Sequence, residues 1–376
     1  MTKTVVIAGG GVVGLNIALA LAESGSGDDV FLLEREEFLG HHSSTRNSEV
    51  VHAGFAYPPG SLKARLCVEG NKLTYDLLGR LGVPFRREGK WIVAHDPAEA
   101  DAMDAMLENA RLCGVPGMRG VSPDEVVKAA PFILRPLAAA LSESSGIMDA
   151  AAFIRSLEVA LSKHAGVQLV YPCGVEGIDS ARGVVETTRG EMPFDFFVNA
   201  AGLFADEIYR MAGGARLFEI RPFKGEYCTW RKGKIGGLVY PVPRRFLSAG
   251  DATMVSSMGI HAHRSVAGEL FIGPTQVEMD AKSKTDYRIV TSPEVFSSAM
   301  AGMLACPPPV EELEPAFAGN RPKLFEDGVA RGDFEIFREG PFVHLLGIES
   351  PGLTAAPAIA EHVLGLLRPK TPQGAA

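Results

Sequence analysis

The sequence predicts an α/β protein, α+β overall: a Rossmann-like dinucleotide-binding domain carrying an inserted, mostly antiparallel β-sheet substrate domain. Three observations predict it. A short apolar run, residues 5–8, passes through Gly9, Gly11 and Gly14 into an apolar helical stretch. A second apolar run, "VFLLE", ends at Glu34, 20 residues after Gly14. Between residues 215 and 315, strand-like runs such as "EYCTW", "GGLVYPVP" and "ELFIGP" alternate with turns, and the chain then returns to strand, turn and helix. At 376 residues it exceeds what one hydrophobic core usually encloses.

Each element has its own reason. The unbroken apolar run at 5–8 suits a parallel strand covered on both faces. Gly9 permits the tight turn, Gly11 lets the backbone approach a pyrophosphate, and Gly14 lets the helix pack on the strand, with Val13 in the same turn. The helix N-terminus offers free N–H groups and a positive dipole end to phosphate. Glu34 stands where a carboxylate accepts from a ribose hydroxyl. Its charge opposes a 2′-phosphate despite Arg35 beside it, so an unphosphorylated ribose is expected.

Residues 62–81 have helical period, 86–96 read as a strand, and 97–113 as an amphipathic helix. Ser122 and an acidic first turn open a short helix over 122–131. A strand and turn follow at 138–149, a helix at 151–166, and a strand at 167–171 that belongs with the first β-α-β unit. "FDFFVNAAG" (194–202) is an apolar strand running into the small residues Ala201 and Gly202, which allow a ligand close to the backbone. In "GIESPGLTAAPAIAEHVLGLL" (347–367) a Gly/Pro turn feeds a helix, with Thr354 as N-cap and Pro357 in the first turn. The dipole of this helix would face something electron-rich, such as a reduced flavin near N1 and O2. NAD needs no such third segment, so non-covalent FAD is the expected cofactor. The FAD-binding domain is then discontinuous, 1–85, 146–214 and 316–376, and the substrate domain takes 86–145 and 215–315.

Composition narrows the function. Hydrophobic residues make up 46% and charged residues 22%, as in a globular enzyme. The net charge of −8 argues against a nucleic-acid partner, while one local Arg or Lys still serves an acidic small substrate. Cys67, Cys113, Cys173, Cys228 and Cys306 form no CxxC pair, so reduced thiols are expected, with no disulfide framework and no metal site. "MTKTVVIAGGGVVG" begins a strand at once, without a signal-peptide pattern, and no apolar run reaches the roughly 18–20 residues of a membrane span. A cytoplasmic location is expected, with peripheral membrane contact left open, and the tail "RPKTPQGAA" is expected to fray.

Several motifs, in order along nearly the whole chain, resemble the FAD-dependent D-amino-acid-oxidase-like superfamily and, within it, the L-2-hydroxyglutarate dehydrogenase/oxidase group. They are "RNSEVVHAGFAYPPGSLKARLCVEGN" (46–71), "GIMD" (146–149), "NAAGLFAD" (199–206), "KGEY" (224–227), "LVYPVP" (238–243), "GIH" (259–261), "RPKL" (321–324) and "GIESPGLTAAPAIAEHV" (347–363). The resemblance implies oxidation of a 2-hydroxy acid to a 2-oxo acid, with an amino-acid or amine oxidase of the same superfamily as the alternative. There are departures: Ala56 stands before Tyr57 where the group has two tyrosines, Asn320 replaces an aliphatic residue before "RPK", and 244–258 is longer than the usual link.

Such chemistry needs an anchored carboxylate and a base. Anchoring calls for a guanidinium, which matches carboxylate bidentately, and the resemblance implies Arg321, since the related oxidases place a carboxylate-binding Arg near this point. Tyr57, Lys224, Tyr227 and Lys323 are expected to hold a second carboxylate or orient the first. The base should titrate near neutrality, as histidine does. His261 is favoured over His52, since it follows a strand of the substrate sheet, and Lys323 is the third candidate. The loop 41–60 should run along the flavin: Ser43, Ser44 and Thr45 on phosphate and ribityl oxygens, Arg46 and Asn47 on the flavin edge, His52 and Tyr57 near substrate. His41 and His42 match no motif of the group and are read as loop residues, by the pyrophosphate or ribityl chain. Val175, Gly347, Ser350, Pro351, Gly352 and Leu353 complete the expected cofactor contacts. The electron acceptor is expected to be oxygen, a quinone or a carrier protein.

Overall fold

A computed structural model of the chain describes residues 2–247 and 259–368. Residues 248–258 of the unusually long link, and the tail from 369, lie outside the described residues.

The cofactor half is built on a sheet whose six strands run in the order Glu335–Glu339, Phe342–Leu346, Phe196–Asn199, Thr4–Ala8, Asp29–Leu33 and Val167–Val170. The first pair is antiparallel and the others are parallel. Period-2 alternation sorts the side chains. Val5, Ile7, Val30 and Leu32 enter one core with the helices Val12–Glu23, Leu62–Leu81, Ala150–Leu161 and Gly352–Leu367. Val6, Ala8 and Leu33 enter a second core on the opposite face. An antiparallel meander, Val175–Asp179, Val184–Thr187 and Gly190–Pro193, covers that face through Val185 and Phe194. Both faces being dry explains why the first strand is apolar without alternation. Each fully buried Val or Ile contributes about 1.5–3 kcal/mol, so one polar substitution there would remove a large share of a total stability of roughly 5–15 kcal/mol.

The second large sheet has ten strands among the described residues. Its spine is the antiparallel pair Phe218–Trp230 and Leu313–Glu326. Residues 86–145 join it through Lys90–Ala94, Ala138–Ser142 and Met118–Val121, and Leu238–Pro241 enters parallel to Lys90–Ala94. The strand Leu313–Glu326 continues in this sheet well beyond residue 315, because its 13-residue partner is paired along its whole length. A division between 315 and 316 therefore cuts a strand.

The C-terminal helix differs from expectation. It begins at Gly352, so Thr354 lies within it rather than capping it, and Pro357 falls beyond the first turn. No side chain caps this helix. Thr354 Oγ1 instead accepts the His52 N–H at 2.9 Å, which ties the helix to the loop 41–60. No helix among the described residues is long and apolar enough to cross a membrane.

Candidate active site

A cavity of about 850 Å³ opens at the carboxyl ends of the parallel strands, where Gly9, Glu34 and Ala200 directly follow their strands. That is where open α/β sheets bind ligands, and the volume lies near the top of the usual range of roughly 300–1,000 Å³.

Its first end is a backbone cradle. Gly9 has φ +115°, and a Cβ there would sit 2.4 Å from the Ala200 carbonyl oxygen, so only glycine fits the turn. The helix Val12–Glu23 starts at Gly11 without a side-chain cap. Ser44 Oγ accepts the Val12 N–H at 2.9 Å, which leaves the Ser44 hydroxyl proton for a ligand. Glu34 lines the cavity and accepts from the Gly10 and Glu36 amides at 2.8 and 2.9 Å. Burial raises its pKa, and those two amides pull it back. The remaining lone pairs of its oxygens suit a ribose hydroxyl. Ser43 and Asn47 line the cavity while fastening the loop: Ser43 Oγ donates to the Asn320 carbonyl and Asn47 Nδ2 to the Ser43 and Ser44 carbonyls. Arg46 lines it with its guanidinium over the Tyr287 ring. Val13, Ala201, Gly202, Ser350, Pro351, Gly352 and Leu353 complete this wall. Two helix starts whose own N-cap residues supply no side-chain cap, and the buried Glu34 carboxylate, line one cavity, which fits an FAD molecule.

The other end is built from side chains. Arg321 lies on the long strand pair, opposite Phe223. Its Nη1 is buried and has no hydrogen-bond partner. Gly225 makes room for it, since a Cβ there would be 3.1 Å from the guanidinium and 2.8 Å from Pro274. Tyr227, Tyr57, His52, His261 and Lys323 line the same space. Lys323 Nζ donates to Glu349 Oε1 at 2.7 Å and Lys63 Nζ to the same oxygen at 2.8 Å. Burial pushes the Glu349 carboxyl up, but the two ammonium groups overcome it and hold it at about 2. Lys323, pulled down to about 8 mainly by burial, is thus committed to an ion pair.

The two histidines differ. His261 is 3% exposed and stacks on Tyr240, with centroids 3.8 Å apart. Its Nδ1 faces the Gly259 carbonyl at 3.1 Å, and its Nε2 faces the Tyr240 hydroxyl at 2.8 Å. Donation from Nδ1 to the carbonyl leaves Nε2 to accept from the tyrosine, so both nitrogens are engaged by protein. His52 has Nε2 3.3 Å from the Ser350 hydroxyl, itself 3.3 Å from the Tyr57 hydroxyl. Its backbone is clamped by Thr354 and Asn71. Burial pulls both histidines well below the usual value, so both are neutral acceptors at pH 7.

Some expected residues are not brought to the cavity. Lys224 turns to the other face of its strand, donating to the Arg288 carbonyl at 2.6 Å and pairing with Glu226. Arg35 lies over the Phe204 ring and pairs with Glu36. Thr45 donates to the Gly40 carbonyl, Gly14 packs against Gly9, Gly347 against Leu324, and Val175 joins the second core. Conversely, Tyr240, Lys63, Glu349 and Arg245 line the cavity without having been singled out. The first three sit inside the motifs quoted above, which was the signal available. His41 and His42 line it too, His42 between Glu36 and Tyr287.

Comparison with known proteins identifies the family and the fold. The family model for FAD dependent oxidoreductases (DAO) matches residues 4–366. The mitochondrial L-2-hydroxyglutarate dehydrogenase of Homo sapiens is 32% identical over 296 residues, 73% of this chain and 60% of that protein. The L-2-hydroxyglutarate dehydrogenase of Escherichia coli K12 is 28% identical over 96% of this chain and 92% of its own length. Among solved structures, the L-alpha-glycerophosphate oxidase of Mycoplasma pneumoniae with FAD bound superposes with a TM-score of 0.82 at 25% identity, covering 98% of this chain and 95% of that one. Glycine oxidase of Geobacillus kaustophilus, at 20% identity and a TM-score of 0.78 over 97% and 95% of the two chains, shares the fold.

Proposed function

Because this chain belongs to the DAO family of FAD-dependent oxidoreductases, we propose that it oxidises a 2-hydroxy acid, L-2-hydroxyglutarate or a close relative, to the 2-oxo acid. The observation that carries the reading is the unpartnered, buried Nη1 of Arg321 in the same cavity as His52. A buried donor left without a partner costs about 1–3 kcal/mol, and a substrate carboxylate would satisfy it. The human and bacterial relatives, both L-2-hydroxyglutarate dehydrogenases, support the same class.

Bound FAD supplies the hydride acceptor. The chain's own groups do the rest. Arg321 holds the 2-hydroxy acid by its carboxylate. His52 Nε2 takes the hydroxyl proton, since its hydrogen-bond partner there is a serine hydroxyl that can give or accept a hydrogen bond. This reverses the expected order of the two histidines. His261 and Tyr240 then form a fixed wall. A distal carboxylate finds a second guanidinium in Arg245, which lines the cavity beside Ala56 and donates to Asn109 Oδ1 at 3.0 Å. Lys63 and Lys323 both already donate to Glu349.

The test is anaerobic bleaching of the flavin absorbance by a panel of 2-hydroxy and 2-amino acids, both enantiomers. Rapid bleaching by L-2-hydroxyglutarate is expected. Bleaching by amino acids alone would overturn the reaction class. Mixing the reduced protein with oxygen, a quinone analogue or a carrier protein then identifies the acceptor class.

A further inference from the structure

We infer that Lys90 is a positioning residue that completes a proton relay behind His52: the neutral amine accepts the His52 Nδ1 proton as Nε2 takes the substrate's. The inference rests on the proposed 2-hydroxy-acid reading. Its geometry does not. Lys90 opens the strand Lys90–Ala94, is 0% exposed, and places Nζ 3.3 Å from His52 Nδ1. The amine lies 4.2 Å from the centre of the Tyr240 ring and 5.6 Å from that of Phe55. No carboxylate stands within ion-pair distance of it among the described residues, whereas Lys63, Lys224, Lys284 and Lys323 are each buried with one. A buried ammonium without an anion is costly, so such a lysine sheds its proton readily.

Every titratable group facing Lys90 is neutral at pH 7. From the helix Leu62–Leu81 comes Cys67, whose thiol burial pushes far up. From the strand His261–Arg264 come His261, held well below its usual value, and His263, at about 3, both by burial. From the strand Leu238–Pro241 comes Tyr240, raised by burial, and from the loop comes His52. Burial pulls Lys90 itself to about 7. It is thus the group of this cluster that changes charge near neutrality.

The tautomer of His52 follows from that charge. An ammonium can only donate, so it requires a bare Nδ1 and puts the ring proton on Nε2, where it blocks the base. A neutral amine also offers a lone pair, so it can accept from Nδ1–H, and in that tautomer Nε2 is bare. In the forward step the hydroxyl O–H bond breaks and Nε2–H forms, while Nδ1–H breaks and Nζ–H forms. The C–H electron pair leaves as hydride to the oxidised flavin. The lysine ends as ammonium and the imidazole as its other neutral tautomer, so atoms and charge balance.

Two measurements on holoprotein test this. First, the flavin-reduction rate constant is followed from about pH 5.5 to about 9.5 for wild type, Lys90→Met and His52→Gln. Wild type should rise about tenfold per pH unit below a midpoint near 7 and then level off, as a single essential base does. K90M should lose that step and fall at least ~10-fold below the wild-type plateau at high pH. A K90M profile with the wild-type midpoint would overturn the relay. Second, ¹⁵N-histidine NMR reads the His52 ring nitrogens without any substrate. The ring proton should move from Nε2 to Nδ1 as pH rises through the Lys90 midpoint, and a single tautomer across the range would overturn the relay. This titration of wild type stands even if K90M fails to retain FAD. A moving tautomer with no 2-hydroxy acid able to bleach the flavin would sink the substrate reading and leave the relay in place.

Discussion

The two ends of the cavity are made of different materials. The end proposed for the pyrophosphate is backbone: a positive-φ glycine, a helix start on a glycine N-cap, and loop hydroxyls tied to carbonyls. The end proposed for the substrate is side-chain charge: a guanidinium with an unpartnered Nη1, an ammonium–carboxylate–ammonium cluster, and a lysine under aromatic rings. Backbone sites tolerate no added atom but are indifferent to pH. Charge sites tolerate a change of shape but depend on protonation and on each other. The cofactor end should therefore fail all at once and the substrate end by degrees.

The sharpest break is Gly11→Val. A Cβ at residue 11 already falls 2.9 Å from Ser44 Oγ, and the two further methyls would enter the phosphate cradle. We expect a folded, colourless protein, checked by circular dichroism and by flavin absorbance after purification with FAD. A yellow, fully loaded variant would show that the cradle lies elsewhere. Next comes His52→Ala, expected to slow flavin reduction by about 10²–10⁴-fold with FAD retained. His261→Ala should slow it far less, and the opposite ranking would restore His261 as base.

Glu349→Gln probes the charge cluster. Removing one partner of a buried ion pair costs about 3–5 kcal/mol, readable in a denaturation midpoint. Its pH signature has a definite sign. The folded carboxyl is held at about 2, below an unfolded value of roughly 4.3. Its stabilisation is thus fully present above that unfolded value and is lost as pH falls towards 2. The variant should show a flatter acid limb than wild type, and an identical limb would refute the assignment. Arg321→Ala should weaken 2-hydroxy-acid binding by about 1.5–3 kcal/mol, the worth of a charged hydrogen bond, seen in the substrate dependence of flavin reduction. The smallest effect belongs to Ala56→Tyr, which adds a ring beside Arg245. It should shift preference among 2-hydroxy acids by chain length while leaving the FAD content unchanged.

The same division explains what could be read in advance. Gly9, Gly11, Gly14 and Glu34 were legible because the cradle depends on local spacing, and a strand, turn and helix carry it within 34 residues. Lys224 was misplaced for a reason the sequence already contained. Lys224 and Tyr227 are three apart on one strand, so they face opposite sides, and Tyr227 is the one in the cavity. Thr354 reads as a cap until its hydroxyl is seen bound to the His52 backbone, a contact made across 302 residues of chain. Lys90 looks like the polar start of an ordinary strand. Its burial arises when Leu238–Pro241 arrives alongside, and no local pattern announces that.

The strand order of the cofactor sheet also bears on how the chain is made. Thr4–Ala8 pairs on one side with Phe196–Asn199, which in turn awaits Phe342–Leu346. At a synthesis rate of roughly 5–20 residues per second, the first strand waits about 10–40 s for that neighbour. The strand Phe342–Leu346 and the helix Gly352–Leu367, whose first residues line the cleft, come more than 140 residues after Asn199. Nascent chains must therefore carry an apolar, half-paired edge until residues 196–199 are made, and the vitamin-derived cofactor meets its whole cleft only once residues 345–353 have been added.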